Sequence, residues 1–326
     1  MPLTKNSNIF GIIVQVMDQF DVIVIGGGAA GLSAALWCDD LGLKTLLLEK
    51  KGEFGGQLLR VYNRIENHLG VDAENGLEMR DRFLLQTGTR EFLRKLETEV
   101  LTADLKNHTV SLKSGETLRA KAIIIATGTG RRRLGIPGEE AFKDRGIVES
   151  GRKDPKIAAG KRVLIVGGGD AAVENALILS ETAERVFICH RRAEFTARDE
   201  FIDQAKGASN IEFLDPHTLE NIIGAERIEA VELKNTATGE TLTFPVETVL
   251  IRIGVEPNTG IFRGELETDE SGFVLIDDKC RTSMEGVYAV GDAANPLGPT
   301  LSSAVGMGAT AAKAAYSYLA ERDDKR

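Results

Sequence analysis

The chain has 326 residues, 42% of them hydrophobic and 27% charged, with a formal net charge of −9 and a pI near 5.2. That composition suits packed globular domains, two of them by length, and it argues against general nucleic-acid binding, which needs a basic face, while leaving room for a local basic patch. No apolar run reaches the ~18–20 residues of a membrane span.

Residues 1–16 read as an extension. Ile9–Val16 is largely apolar but short, the chain before it lacks a signal-peptide pattern, and Met17 stands just before the first strand. A cytoplasmic protein is the expectation. The three cysteines, Cys38, Cys189 and Cys280, form no C-x-x-C and no metal-ligand spacing. They suit a reducing compartment, and no metal site is expected.

The first predicted element is a buried strand, Val22–Ile25, running into Gly26, Gly28 and Gly31 and then a helix. This is the G-x-G-x-x-G spacing. Gly26 permits a tight turn, Gly28 lets a pyrophosphate approach the backbone, and Gly31 lets the helix pack on the strand. A second strand, Thr45–Leu48, ends in Glu49, placed to hold a ribose hydroxyl. Gly52, Gly55 and Gly56 then mark a loop, and Gln57 offers an amide to a flavin edge. Leu77–Leu96 has helical periodicity with a solvated, charged face. Residues 97–120 alternate as a β-meander, and Ala122–Ala126 is a strand ending in Thr127-Gly128-Thr129-Gly130.

The opening pattern then returns. A strand, Arg162–Val166, meets Gly167, Gly168, Gly169 and Asp170, followed by a helix over Ala172–Leu179 and a strand over Arg185–Cys189. Gly26 to Glu49 is 23 positions, and Gly167 to His190 is also 23. The first unit ends in Glu49 and the second in His190-Arg191-Arg192, with Arg198 nearby. A carboxylate there suits a ribose diol, whereas arginines suit a 2′-phosphate. The first copy therefore fits FAD and the second NADPH. Further strands are expected at IEFLD, IEAVELK and TLTFPVETVLI within 211–250, then at Phe273–Ile276 and Gly286–Val290. A small-residue helix, Ser302–Leu319, closes the chain.

The ordered motifs GGGAAG, FGGQL, ATGTG, IPGE, VGGGDAAVE, HRR, IGVEPN and TSMEGVYAVGD resemble those of the low-molecular-weight thioredoxin reductase-like flavoproteins. The resemblance implies an α/β fold of two Rossmann-like three-layer nucleotide-binding domains, of the pyridine nucleotide-disulfide oxidoreductase type. It implies an FAD domain of residues 1–130 and 255–326, an inserted NADPH domain of 131–254, and a homodimer. Residues matching FAD contacts are Gly26, Gly28, Ala29, Ala30, Gly31, Glu49, Lys50, Gly56, Gln57, Leu58, Asn67, Ala126, Thr127, Gly128, Gly291, Asp292, Thr300 and Leu301. Those matching NADP contacts are Gly167, Gly169, Asp170, Ala171, Glu174, His190, Arg191, Arg192 and Gly254. A third family arginine is here Thr196, with Arg198 as its substitute, so NADPH is favoured with NADH as the alternative.

Ser150 and Lys153 stand where the resemblance puts the family dithiol, and Asp154 where it puts the acid. Serine forms no disulfide, so the expectation is an enzyme other than a C-x-x-C thioredoxin reductase. KDPKIAAGKRV resembles the same segment of the thioredoxin-reductase-like ferredoxin/flavodoxin–NADP reductases, in which a tyrosine stacks on the flavin; the matching residue is Tyr62. The expected function is hydride transfer from NAD(P)H to FAD and electron transfer to a non-dithiol acceptor, ferredoxin or flavodoxin. A basic patch, Arg131–Arg133 with Arg152, Lys153, Lys156, Lys161 and Arg162, is the expected dock. The alternatives are a small-molecule acceptor (a quinone or low-molecular-weight disulfide) and a catalytically silent FAD-binding regulatory protein.

Overall fold

A computed structural model describes residues 16–153 and 155–324; residues 1–15 of the expected extension, and Asp154, lie outside the described residues. The chain divides into two compact units, one running to Thr129 and resuming at Pro257, the other Gly130–Glu256. The first unit opens with β1 (Val16–Ile25), α1 (Ala29–Asp40), β2 (Thr45–Leu48), α2 (Gly76–Thr87), β3 (Leu93–Lys95), β4 (Val100–Asp104), β5 (Thr109–Leu112) and β6 (Thr117–Ile125). Then β7 (Thr129–Arg131) leads into the second unit. That unit holds β8 (Ile147–Val148), β9 (Arg162–Val166), α3 (Asp170–Ser180), β10 (Arg185–Cys189), α4 (Asp199–Gly207), β11 (Ile211–Leu214), β12 (His217–Gly224), β13 (Ile228–Asn235), β14 (Thr241–Phe244) and β15 (Thr248–Ile251). After β16 (Val255–Pro257), the first unit resumes with β17 (Val287–Ala289) and α5 (Leu301–Asp323).

The first unit is built on a sheet of order β3-β2-β1-β6-β5-β4, with β17 also on β6. β1 runs parallel to β2 and β6, with Ile25 opposite Leu48 and Ile125. β6 is long enough to pair antiparallel with β5 at its start and parallel with β17 at its end, where Ala289 faces Ile125. Five parallel strands, β3, β2, β1, β6 and β17, therefore end at one level, which brings Gly26, Glu49, Ala126 and the segment after Ala289 to one edge. Alternation along β1 fills two cores, as the period of a strand requires. Val22 and Val24 pack with α1 and α5, and Ile23 and Ile25 pack on the other face with Phe262 and Val274.

The second unit repeats the plan with a parallel sheet of order β11-β10-β9-β15-β8. Val166 lies opposite both Cys189 and Ile251, so Gly167, His190 and Arg252 share an edge. Val163 and Ile165 pack on α3 through Ala172, Val173, Ala176 and Leu179. Leu164 and Val166 face the three-stranded antiparallel sheet β12-β13-β14 through Leu219, Val231 and Leu233. Each unit is a Rossmann-like α/β layer structure.

Local pattern and structure part company in several places. The helix read over Leu77–Leu96 stops at Thr87, because residues beyond Gly88 are drawn into the sheet: Leu93 pairs with Leu46 and Phe92 is buried in the core. TLTFPVETVLI is two strands, not one. Pro245, with no N–H to give a ladder, separates β14 in the antiparallel sheet from β15 in the parallel one. Phe273–Ile276 is not a strand; only Val274 bridges Thr268, while the Phe273 N–H is taken by the Asp269 carboxylate in a turn. β12 and α4 were not anticipated, and β1 begins six residues before Val22. Among the described residues no helix is long and apolar enough to cross a membrane.

Candidate active site

In the first unit the glycine turn is enforced by contact. Gly26 has φ +110°, and a Cβ there would lie 2.3 Å from the Ala126 carbonyl oxygen. At Gly31 a Cβ would lie 1.8 Å from the Gly26 oxygen, so only glycine lets α1 sit this close to the turn. Gly28 and Gly56 bring their backbones into contact: a Cβ on Gly56 would stand 2.8 Å from Gly28 Cα. No side chain caps α1 at Gly28, so the N–H groups of its first turn, which includes Ala29, Ala30 and Gly31, are open to an anion. Glu49 is only 7% exposed. Its Oε2 accepts from Gly27 N at 2.8 Å and its Oε1 from Lys51 N at 2.9 Å. Each oxygen keeps a lone pair for a hydroxyl. Lys50, beside it, is exposed.

The same edge collects residues from distant parts of the unit. Thr127 Oγ1 is buried with no partner, a polar atom that a ligand would satisfy. Gly128 has φ +63°, and Asn258 holds this turn by donating from Nδ2 to Thr127 O and from its backbone N to Gly128 O, both at 2.9 Å. Gln57 Nε2 donates to Thr129 O at 2.9 Å and to Thr129 Oγ1 at 3.0 Å, so its amide nitrogen is engaged inside the protein. Thr129 in turn hydrogen-bonds Asp292, whose carboxyl burial pushes above the ordinary range while Thr129 pulls it back. Gly291, at φ +66°, comes close to Ala30 of α1. Leu58 and Leu301 pack in one small cluster, and Thr300 caps α5 in a reciprocal box with Ser303. Tyr62 is half-buried and Asn67 exposed. Among the described residues no hydrogen bond ties either to the glycine turn.

The second unit carries the matching turn. Gly167 has φ +146°, and a Cβ would lie 2.1 Å from Arg252 O. Gly168 supports the His190 ring, which a Cβ would meet at 2.5 Å. Gly169 caps α3 without a side chain, leaving Asp170 and Ala171 in its first turn and Glu174, half-buried, one turn on. The Thr196 and Ala197 N–H groups return to Gly168 O at 2.8 and 3.0 Å, so loop 190–198 folds back on the turn. His190 is 8% exposed, and its Nε2 has no partner. Burial first, then Arg192, holds the imidazole below its ordinary value. Arg191 and Arg192 are exposed beside it. Arg198 is held by Asp170, through its backbone N to Oδ1 at 2.8 Å and through Nε to Oδ2 at 2.9 Å. Gly254, at φ +95°, is exposed with nothing within 4 Å of its Cβ direction.

Ser150 Oγ accepts from Arg152 N at 3.3 Å, and Lys153 Nζ pairs with Glu149 at 2.9 Å. Behind them Gly151 N donates to the buried Asn175 Oδ1 at 2.8 Å, an anchor the sequence reading missed. Also missed were Thr129 as the bridge from Gln57 to Asp292, and Asn258; each is recognisable only once distant segments are adjacent. Cys38, Cys189 and Cys280 are all buried, and burial pushes their thiols up to about 12, about 12 and about 11.

The pyridine nucleotide-disulphide oxidoreductase family matches residues 20–314. The chain is 34% identical over 310 residues to a thioredoxin reductase of Listeria innocua, covering 93% of this chain and 94% of that one. It is 35% identical to a thioredoxin reductase of Helicobacter pylori, covering 92% and 99%. The crystal structure of Lactococcus lactis thioredoxin reductase superposes with a TM-score of 0.80 at 32% identity, covering 93% and 99%.

These relatives overturn one expectation. Ser150 and Lys153 alone point to a chain outside the thioredoxin reductases, with ferredoxin or flavodoxin as the acceptor. The likeness to proteins named thioredoxin reductase extends over more than nine-tenths of the chain, whereas that exclusion rested on two positions. The expected basic dock is also weakened physically. Arg133 pairs with Glu140 at 2.8 Å, Lys153 with Glu149, and Arg162 with Glu247 at 3.5 Å, so three of its eight cations already have a carboxylate of this chain beside them. The chain belongs to the pyridine nucleotide-disulphide oxidoreductase family and is a flavoprotein oxidoreductase of the thioredoxin reductase-like kind.

Proposed function

We propose that the first unit binds FAD, that the second binds NADPH, and that the enzyme passes reducing equivalents from NADPH to a disulfide acceptor, with thioredoxin the first to try. The observation that carries this is the exchange of charge between two copies of one site. Equivalent strand ends present a buried Glu49 in one unit and His190-Arg191-Arg192 in the other. The names of the relatives support the choice of acceptor.

In the first unit, Glu49 would accept from ribose hydroxyls, and the open N–H groups of α1 would hold the pyrophosphate. Thr127 Oγ1 and Asp292, both at the same edge, would take the remaining polar groups. In the second unit, α3 would hold the other pyrophosphate, while Arg191 and Arg192 would clasp a 2′-phosphate. Bound FAD would supply the two-electron carrier between nicotinamide and disulfide. The buried, raised thiols of this chain are assigned no part in hydride transfer, and the working state is proposed to be a homodimer.

Purified protein should carry stoichiometric FAD and oxidise NADPH when oxidised thioredoxin is supplied. FAD-loaded protein that leaves NADPH untouched with thioredoxin and with small disulfides alike would overturn the proposed reaction.

A further inference from the structure

Asp170 opens α3 and puts a carboxylate where the second unit has the backbone to hold an anion. Gly169 caps α3 with no side chain, so the N–H groups of its first turn are open, and Asp170 stands in that turn. The first unit differs. Three positions after Gly26 it has Ala29, and α1 carries no acidic residue in its first turn. A carboxylate suits a bare helix N-terminus in the free protein, but it repels a phosphate brought to the same turn.

Arg198 answers that charge. Its backbone N donates to Asp170 Oδ1 at 2.8 Å and its Nε to Oδ2 at 2.9 Å, so both carboxylate oxygens are engaged. The guanidinium also lies over the Phe201 ring, 4.3 Å from its centroid. Among the described residues, Asp170 pairs with no other cation and Arg198 with no other carboxylate. The two side chains are 46% and 64% exposed, and an ion pair this open adds little to stability. Its effect on local charge is the larger one, because a helical turn of about 5.4 Å is shorter than the screening length of about 8 Å. Arg191 and Arg192 are in the opposite state. Among the described residues neither guanidinium has a hydrogen bond or an ion pair, so both are free to meet a 2′-phosphate.

We propose that Arg198 is a positioning residue for the dinucleotide: by holding Asp170 it cancels the carboxylate at the start of α3 and keeps that helix terminus open to pyrophosphate. It acts through Asp170 and leaves the 2′-phosphate to Arg191 and Arg192. This rests on reading the second unit as the dinucleotide domain.

The test is calorimetric titration of the FAD-loaded protein with NADP⁺, which binds without turnover. The samples are wild type, Arg198→Gln, Arg198→Lys, Asp170→Asn and the double variant Asp170→Asn/Arg198→Gln. A unit charge one helical turn from a phosphate changes its affinity roughly three- to tenfold. Arg198→Gln should weaken NADP⁺ by that factor, and Arg198→Lys by less, since it keeps the charge and loses the fork. Asp170→Asn should bind at least as tightly as wild type, and the double variant should recover wild-type affinity. The ratio between wild type and Arg198→Gln should also shrink as salt is raised. A merely structural role for Arg198 produces neither the recovery nor the salt dependence. Thermal unfolding of the same samples identifies any variant that fails to fold, and Asp170→Asn then carries the comparison.

Equal binding by all five proteins, or weaker binding by Asp170→Asn, overturns the inference. So does a loss in Arg198→Gln that the second substitution leaves in place, which puts Arg198 on the ligand itself. Wild type that binds no NADP⁺ overturns the dinucleotide reading and this inference with it. Wild type that binds, with any of the other contrary results, overturns this inference alone.

Discussion

Glu49 shows how much one side chain organises the first unit. It is buried, it accepts from two backbone N–H groups, and it keeps capacity for a ribose. Glu49→Ala leaves both donors unmet, at about 1–3 kcal/mol for each buried group. The variant should melt lower and lose FAD on gel filtration; full retention of FAD would remove Glu49 from the site. Asp292 adds a pH signature. Its folded carboxyl is pushed above the ordinary value of 3.8 by burial, so the folded state binds the proton more tightly than the unfolded state does. Its contribution to stability is fully present below that ordinary value and is lost as pH rises through the raised one. In FAD-free protein, the stability of wild type relative to Asp292→Asn should therefore fall across that window, as read from denaturation midpoints. A gap that does not change with pH would contradict the assignment. At this scale the glycines, Glu49 and His190–Arg192 were legible, because a local turn and a fixed spacing dictate them. The Gln57–Thr129–Asp292 chain, Asn175 behind Ser150, and the capture of Arg198 by Asp170 were not. Each depends on segments that meet only after folding.

Among elements, α1 and α5 fit closely against each other. A Cβ on Gly308 would lie 2.4 Å from Ala30 O and 2.9 Å from Ala34 N, whereas a Cβ on Gly306 meets nothing within 4 Å. Both glycines lie on α5, two residues apart. Gly308→Ala should cost about 1–3 kcal/mol through forced separation of the helices. Gly306→Ala should be neutral or stabilising by up to about 1 kcal/mol, from helix propensity alone. Thermal unfolding of the two variants checks the contrast, and equal shifts would show that the packing is looser than described. The small-residue pattern of α5 announced close approach but not which glycine makes it. Strands buried on both faces, such as β1, β2 and β9, were readable as apolar runs. Short or edge strands were not: β3 looked like the end of a helix, and β12 has only weak alternation, with burial confined to Leu219 and Ile222.

For the molecule as a whole, the duplication is the organising fact. The parallel strands of two sheets each bring a glycine turn, an uncapped helix and a second-strand end to one edge, and the two ends differ in charge. That difference was visible in the sequence because the interval of 23 residues is the same in both copies. The acceptor was not, since substitution at two positions says little beside likeness along the whole chain. Anaerobic titration of the purified, FAD-loaded protein with NADPH and with NADH, followed by flavin absorbance, tests the central claim most directly. NADPH should bleach the flavin, at lower concentration than NADH, and replacing Arg191 and Arg192 by alanine should remove most of that preference. Flavin that neither coenzyme reduces would contradict the account.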